Sequence, residues 1–355
     1  MNRKISVVIV DDSAFMRKSL SIMLESDPDI KVIGTARNGQ EGLELVKNLR
    51  PDVATLDIEM PVMDGLTALK KIMNECPTSV IMVSSLTTEG ADSTLKALEL
   101  GAVDFIPKEL SYVNVNITKI KEDLISKVKE IVKQKVIKER LNRLRSISKS
   151  GQQEVVRKPQ SQIPQIGFKA VAIGISTGGP LSLQKIIPVL SERINVPIFI
   201  VQHMPPKFTK SLADRLNLLS KLNVKEAENG EPVQNGTVYI APGGFHMTIR
   251  KNGMASNQIV ISSEPSTTLH RPSVDVMINS VVGLYGKHTL GVIMTGMGKD
   301  GFEAIKNLKS LGGYAIAQDE PTCIVYGMPK AIVDAGFADN ILPLEKIPEI
   351  INKVV

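Results

Sequence analysis

Residues 170–180 read AVAIGISTGGP, a serine in a glycine-rich turn that follows a short apolar run and precedes a run with helical spacing. Gly174-Ile175-Ser176-Thr177-Gly178 fits G-x-S-x-G, the strand-to-helix elbow that holds a serine oxygen at the rim of a parallel sheet. Two other readings compete with this one. A turn of free amides ahead of a helix N-terminus binds phosphate, although the Gly-Lys-Ser/Thr that completes the nucleotide loop is missing here. An ordinary strand-helix turn needs no chemistry at all. Because a serine hydroxyl is a weak nucleophile, the first reading requires a base within hydrogen-bond reach and a third group to orient that base.

Four histidines are available. His203 follows VPIFIVQ directly, so it falls at a strand end on the rim expected for Ser176. His288 precedes its strand and falls on the opposite rim, in an exposed or structural role. His246, after Gly243-Gly244, reads as a core or loop histidine. His270, in LHRPSVD, is followed by Arg271, which can bind a carboxylate or carbonyl, so the pair reads either as substrate-side or as purely structural. Among the acids, Asp300 lies in GVIMTGMGKDG, just beyond an apolar strand, whereas Asp275 stands in helical context as a cap or a solvated acid. Ser176, His203 and Asp300 therefore come from three strand ends. Their chain order differs from the Ser-Asp-His of α/β-hydrolases, but triads are defined by geometry and recur in unrelated orders.

A second cluster lies in the N-terminal half. Asp11 and Asp12 follow the first apolar run, and Asp57 follows another in VATLDIEMPVMDG. The carboxyl ends of parallel strands share one rim. Three carboxylates converging there repel one another unless a cation neutralises them, and hard oxygen ligands suit Mg²⁺. Capping by Asp12 or Ser13 of a helix starting at Ala14 accounts for one acid, not three. Ser84, ending VIMVS, and Lys108, after VDFI, add a hydroxyl and an ammonium able to bind an added phosphoryl group.

These residues need elements to hold them. From Ile5 to about Ile106, apolar runs at Val7–Val10, Lys31–Ala36, Asp52–Leu56, Val80–Val83 and Ala102–Ile106 alternate with helical patterns, as in a doubly wound parallel sheet. Alternation resumes at Ala170–Ile173, Pro197–Val201, Thr237–Ile240 and Leu290–Met294, which predicts a second parallel α/β domain. Within it HMTIRKNGMASNQIVISS reads as a hairpin turning at Asn252-Gly253. Between the domains, Lys119 to Lys149 carries most of the charge excess; Ile120, Leu124, Val128 and Ile131 keep a helical stripe until Lys135 breaks it. That segment reads as a helix closing the first domain and extending beyond it, followed by the polar linker 150–167. The expected division is 1–125, 126–166 and 167–355.

Composition sets the outer bounds. A chain of 355 residues predicts about two domains at ~150 residues each. With 43% hydrophobic and 23% charged residues, disorder throughout is excluded. Cys76 and Cys323 lie far apart and form neither a metal spacing nor a disulfide framework, which suits a reducing compartment. Ile5–Val10 is too short for an export signal, and no apolar stretch approaches the ~18 residues of a membrane helix. The net charge of +6 permits an acidic partner or nucleic acid only where it clusters on a folded surface. It clusters in the linker, and the second half offers no helix-turn-helix candidate, so nucleic acid is not expected.

The acid cluster with Ser84 and Lys108 resembles the receiver domain of two-component response regulators over residues 3–125. The resemblance implies that a histidine kinase phosphorylates Asp57, that Asp11, Asp12, Asp57 and the Ile58 carbonyl hold Mg²⁺, and that Ser84 and Lys108 contact the phosphoryl group. It also puts Phe105 at the aromatic switch position. Receivers usually carry proline after this lysine; here Pro107 precedes it and Glu109 follows.

GISTGG, QHMP, APGG-HM, HRPSVD and TGMG-DG, in this order after a receiver, resemble the chemotaxis protein-glutamate methylesterase family. This second resemblance implies a triad of Ser176, His203 and Asp300, with Thr177 assisting and the Met297 amide a candidate oxyanion donor. It implies hydrolysis of glutamyl methyl esters on methyl-accepting chemotaxis receptors, deamidation of selected receptor glutamines, no cofactor for the hydrolysis, and a cytoplasmic protein acting at membrane-embedded receptor arrays. It further implies that the unphosphorylated receiver restrains the esterase. The competing expectation is a response regulator whose second domain binds a protein or ligand without catalysis.

Overall fold

The computed structural model describes residues 3–108, 116–148, 167–253 and 256–355. It divides into two compact units, Met1–Arg143 and Leu144–Val355.

In the first unit β1 (Ile5–Val10), α1 (Ala14–Glu25), β2 (Ile30–Ala36), α2 (Gly39–Leu49), β3 (Val53–Asp57), α3 (Gly65–Glu75), β4 (Ser79–Ser84), α4 (Thr88–Glu99), β5 (Asp104–Pro107) and α5 (Asn116–Ser148) alternate along the chain. The strands form one parallel sheet in the order β2-β1-β3-β4-β5. This is the doubly wound order of flavodoxin-like folds, whose switch point lies between β1 and β3. Val7, Ile9, Val53, Ile81 and Val83 pack with Leu20 and Leu24 of α1 and with Leu124, Val128 and Ile131 of α5. The stripe read from the sequence is thus the buried face of α5, and Lys135 is exposed as its spacing implied. The helix runs unbroken across position 125 to Ser148; Glu109 and the linker 150–166 lie outside the described residues.

The second unit contains β6 (Ala170–Ile175), α6 (Gly179–Ile186), β7 (Ile198–Gln202), α7 (Phe208–Leu219), β8 (Asn223–Glu226), β9 (Thr237–Ile240), β10 (His246–Asn252), β11 (Ser256–Ser262), α8 (Val274–Tyr285), β12 (Thr289–Ile293), α9 (Phe302–Ser310), β13 (Tyr314–Gln318), α10 (Met328–Asp334), β14 (Asn340–Leu342) and α11 (Ile347–Val354). Seven strands form a parallel sheet in the order β14-β13-β12-β6-β7-β9-β8. Every residue of β6, β7 and β12 is buried, as continuous apolar runs in a sheet covered on both faces should be. Three of these strands escaped the sequence reading. β8 and β14 are short edge strands, whereas YAIAQ of β13 is as long as β7 and β12 and ends in the polar Gln318.

The hairpin β10–β11 packs Met247, Ile249 and Ile259 against Met277, Ile278 and Val281 of α8. Its pairing runs out to Asn252–Ser256, so Asn252 belongs to the strand rather than to the turn. Helix α8 in turn lies close on β6: a Cβ at Gly174 would stand 2.3 Å from Val274 Cγ1. Gly174 thus serves this close approach, and it brings the first turn of α8 beside the end of β6.

Gly65 makes the corresponding close approach in the first unit. Its amide donates to Ile58 O at 2.8 Å, and a Cβ there would lie 1.9 Å from Asp57 O. Gly65→Ala is therefore expected to destabilise the first unit by about 1–3 kcal/mol, the usual cost of overpacking. The readout is its thermal transition followed by circular dichroism in the full chain; an unchanged midpoint would contradict the close packing described.

Candidate active site

Ser176 follows β6 and His203 follows β7, and the two strands pair with Ile175 opposite Gln202. The His203 amide donates to Ile175 O at 3.2 Å, which places the two residues side by side where the ladder ends. Asp300 comes from the other side of β6, in the loop after β12. Between β6 and β12 lies the switch point of this sheet, because the chain leaves β6 for β7 on one side and returns to β12 on the other. All three candidate residues therefore lie at the crevice where open α/β sheets place their ligands, and two of them, His203 and Asp300, are hydrogen-bonded there.

His203 Nε2 and Asp300 Oδ2 are 2.8 Å apart. Asp300 accepts three more hydrogen bonds, from Ser273 Oγ (3.0 Å), the Val274 amide (2.8 Å) and the Asp275 amide (2.9 Å). The carboxylate thus sits on the N-terminus of α8, where free amides and the helix dipole favour an anion. Burial pushes its carboxyl up, but His203 and the amides of Asp275 and Val274 outweigh burial and hold it well below the usual carboxylate range. Asp300 is an anion at any working pH, so it takes the proton of His203 Nε2–H as a hydrogen bond. The other ring nitrogen, Nδ1, is buried and has no hydrogen-bond partner among the described residues. It is the nitrogen left to accept a proton.

The serine turn differs from the strained elbow that G-x-S-x-G suggests. Ser176 is not among the residues with positive φ; the left-handed conformation falls at Gly178 (φ 75°, ψ 3°), as at the third position of a type II turn, and the Gly179 amide closes that turn on Ser176 O at 2.7 Å. The Ser176 amide donates to Thr295 O at 2.9 Å. Thr295 is fully buried; its hydroxyl lies 2.9 Å from Thr177 O and accepts the amides of Ile324 and Val325. Thr177 is itself buried, and half-buried Met297 sits in the same loop as Asp300.

The remaining histidines separate by role. His270 stacks on His203, with ring centroids 4.2 Å apart and planes at 20°. Arg271 is exposed and donates to Ser266 O at 3.3 Å. His246 is buried: its Nδ1 accepts the Ser273 amide (3.2 Å), and its Nε2 lies 3.2 Å from Pro265 O. Burial lowers its pKa. It is the core histidine that its sequence context suggested, one residue behind Asp300 through Ser273. His288, at the opposite end of β12, binds Gly167 O at 3.1 Å. Asp275 caps the first turn of α9 through the Ala304 amide (2.8 Å). Sequence reasoning missed Ser273, although HRPSVD contains it: a serine capping a helix gives no sign that its hydroxyl also binds an acid distant in the chain.

In the first unit Lys108 Nζ lies 2.7 Å from Asp57 Oδ2, 3.5 Å from Asp11 Oδ2 and 3.8 Å from Asp12 Oδ1. Carboxylate oxygens of the three acids all lie within 4.8 Å of one another. Burial pushes the Asp57 carboxyl up to about 6 against the pull of Lys108, and it also raises Asp11. Asp11 Oδ2 is buried, and among the described residues only the Lys108 ammonium, 3.5 Å away, faces it as a counter-charge. A dense, underneutralised set of hard oxygens fits a divalent cation. The cap of α1 is Ser13, whose Oγ accepts the Met16 amide, which leaves Asp12 free of that task. The Ile58 carbonyl already accepts the Gly65 amide and retains one lone pair. Ser84 is buried, with its hydroxyl donating to Gly90 O (3.1 Å) and 2.7 Å from Thr94 Oγ1. Phe105 is buried under Lys127, whose Nζ lies 5.8 Å from the ring centroid.

Both units have known counterparts. The CheB methylesterase family profile matches residues 171–351, and the response regulator receiver domain profile matches residues 7–117. A Pyrococcus horikoshii protein named protein-glutamate methylesterase/protein-glutamine glutaminase is 48% identical over 358 residues, covering 100% of this chain and 95% of that protein. Its namesake in Lawsonia intracellularis is 50% identical over 349 residues, 97% of each chain. The crystal structure of the Thermotoga maritima CheB methylesterase catalytic domain is 46% identical with a TM-score of 0.51, and the match covers 54% of this chain and 100% of that one. The chain belongs to the CheB methylesterase family, with a response regulator receiver domain preceding its esterase domain.

Proposed function

We propose that this protein hydrolyses glutamyl methyl esters on chemotaxis receptors, and deamidates selected receptor glutamines, with Ser176, His203 and Asp300 as its catalytic triad and phosphorylation of Asp57 as its switch. The observation that carries the reading is the His203 ring: it is anchored through Nε2 to a permanently ionised Asp300, with its buried Nδ1 left unpartnered at the strand end beside Ser176. A binding module without catalysis gives no reason for that arrangement. Neither ring nitrogen is hydrogen-bonded to Ser176 Oγ among the described residues; such bonds commonly tighten only in the Michaelis complex.

The steps follow from this geometry. Ser176 Oγ attacks the ester carbonyl carbon as its proton passes to His203 Nδ1. The carbonyl electron pair moves to oxygen, where the Met297 amide, Thr177 and the amino-terminal end of α6 favour negative charge. When the tetrahedral carbon collapses, the C–O bond to the methoxy group breaks and His203 returns the proton, so methanol leaves. Water, deprotonated by the same Nδ1, then attacks the acyl carbon; the C–Oγ bond to Ser176 breaks, His203 returns the proton to Oγ, and the glutamate side chain is released. With a glutamine side chain, ammonia is the leaving group. Asp300 stabilises the imidazolium in each half-reaction and keeps its proton on Nε2. His270, stacked on the base, and Arg271 beside it face the substrate.

In the receiver, Asp57 takes the phosphoryl group of a histidine kinase. Asp11, Asp12, Asp57 and the Ile58 carbonyl would hold Mg²⁺, which, when bound, neutralises phosphoryl oxygens. Lys108, already on Asp57, supplies a second positive charge. For Ser84 to reach the phosphoryl group, its hydroxyl must give up Gly90 O. Phosphorylation then raises esterase activity. Substrate and kinase place the protein in the cytoplasm at receptor arrays; no described helix is long and apolar enough to cross a membrane.

Methanol release from methylated chemoreceptor membranes tests the catalytic reading. Ser176→Ala reduces release to background, and Asp300→Asn, which keeps the shape but frees the wrong tautomer, costs about 10³–10⁴-fold in kcat. Retention of a tenth of the wild-type rate by either variant would defeat the triad. For the switch, Asp57→Asn abolishes stimulation by a small phosphodonor while leaving the unstimulated rate intact; stimulation that survives would place the switch elsewhere. Lys108→Ala removes the cation that competes for the three carboxylates, so Mg²⁺ binds roughly tenfold more tightly by calorimetry. Weaker binding would show that Lys108 organises the acids rather than competing for them.

A further inference from the structure

Gln202 is the last residue of β7, within the apolar run IFIVQ, and it is 2% exposed. Its side chain does something the backbone no longer can at that level of the sheet. The β6–β7 ladder ends at the pair Ile175–Gln202, after which Ser176 turns into α6 and His203 leads away toward Pro205. At the point of divergence Gln202 Nε2 donates to Ser176 O at 3.0 Å and to His203 O at 3.2 Å. One amide group thus spans the carbonyls of the nucleophile and of the base.

We infer that Gln202 is a positioning residue for the esterase reaction, an amide clamp that sets the separation of Ser176 and His203 by extending the cross-strand connection one residue past the ladder. The inference rests on the triad reading above. Two observations support it independently of any motif. Among the described residues the buried amide makes hydrogen bonds through Nε2 alone, Oε1 having none, and both Nε2 donors go to the carbonyls of the nucleophile and the base. Further, the start of α6 is shaped around it: a Cβ at residue 179 would lie 1.8 Å from Gln202 Oε1, so only glycine leaves the amide in place. The second glycine of STGGP therefore makes room for the clamp. Because proton transfer from serine to imidazole depends steeply on their separation, a displacement near 1 Å costs on the order of 10²-fold.

The test uses the full-length, phosphodonor-stimulated protein on methylated chemoreceptor membranes, with three variants. Gln202→Met keeps bulk and removes both donors, and Gln202→Glu replaces the donors with acceptors. Gly179→Ala pushes the unaltered glutamine out from the other side. Each is expected to lower kcat by about 10²-fold with KM within threefold. The pH at which kcat/KM rises should stay unchanged, because the clamp touches no ring nitrogen. The Gln202→Met/Gly179→Ala double variant should be no slower than the worse single one, since both remove the same link. Near-ultraviolet circular dichroism and the denaturation midpoint fix the folded fraction by which kcat is divided. If kcat per folded molecule stays within threefold of wild type, if the loss lies in KM, or if the two changes multiply, the clamp is refuted. Wild-type protein that releases no methanol would instead refute the esterase reading itself.

Discussion

A half-buried carboxylate must be met by donors, and in the esterase unit Asp300 meets four: His203, Ser273 Oγ and the first two amides of α8. Much of the local architecture serves that cluster. Helix α8 has to begin beside β6, which the close contact of Val274 with Gly174 allows. His246 holds the Ser273 amide from behind, and Asp275 secures the neighbouring α9. The hairpin β10–β11 then covers the apolar face of α8. The result is an acid fixed on a rigid helix terminus rather than carried on a free loop, so the ring it orients is held in one tautomer.

This arrangement sets a chemical balance. Donors other than His203 make Asp300 a weaker acceptor toward the imidazolium than a carboxylate with one partner would be, yet they keep it ionised and immobile. Orientation is favoured over basicity. The receiver solves the opposite problem: three acids with few donors are held together by a single ammonium, Lys108, and burial raises Asp57 and Asp11 because compensation is incomplete. One site is electrostatically finished. The other is left short of positive charge, which is what a centre that takes up a cation and a phosphoryl group requires.

Both sites lie at the switch points of parallel sheets, and this common placement explains how much could be read in advance. An apolar run followed at once by Asp, Ser or His marks the carboxyl end of a strand, so Asp11, Asp57, Ser176 and His203 could be assigned to rims without coordinates. Edge strands defeated the same logic: β8 and β14, at the two edges of the sheet, carry four and three residues and have no long period to detect. The elbow pattern around Ser176 located the serine but not its backbone, since the left-handed residue is Gly178 and Gly174 answers to α8.

By itself the sequence determined residue types at strand ends, the two-domain α/β alternation and the buried stripe of α5, because these follow from local periodicity and from the rule that parallel strands share a rim. Only the tertiary structure decided which ring nitrogen faces Asp300, that His270 stacks on His203 while His246 lies behind Ser273, and that Gln202 bridges Ser176 to His203. Apart from the bond between adjacent Gln202 and His203, those contacts join residues 26 to 97 positions apart in the chain. The partners in each are fixed by how sheets and helices pack around them, and packing is a property of the whole fold that no local window of sequence contains.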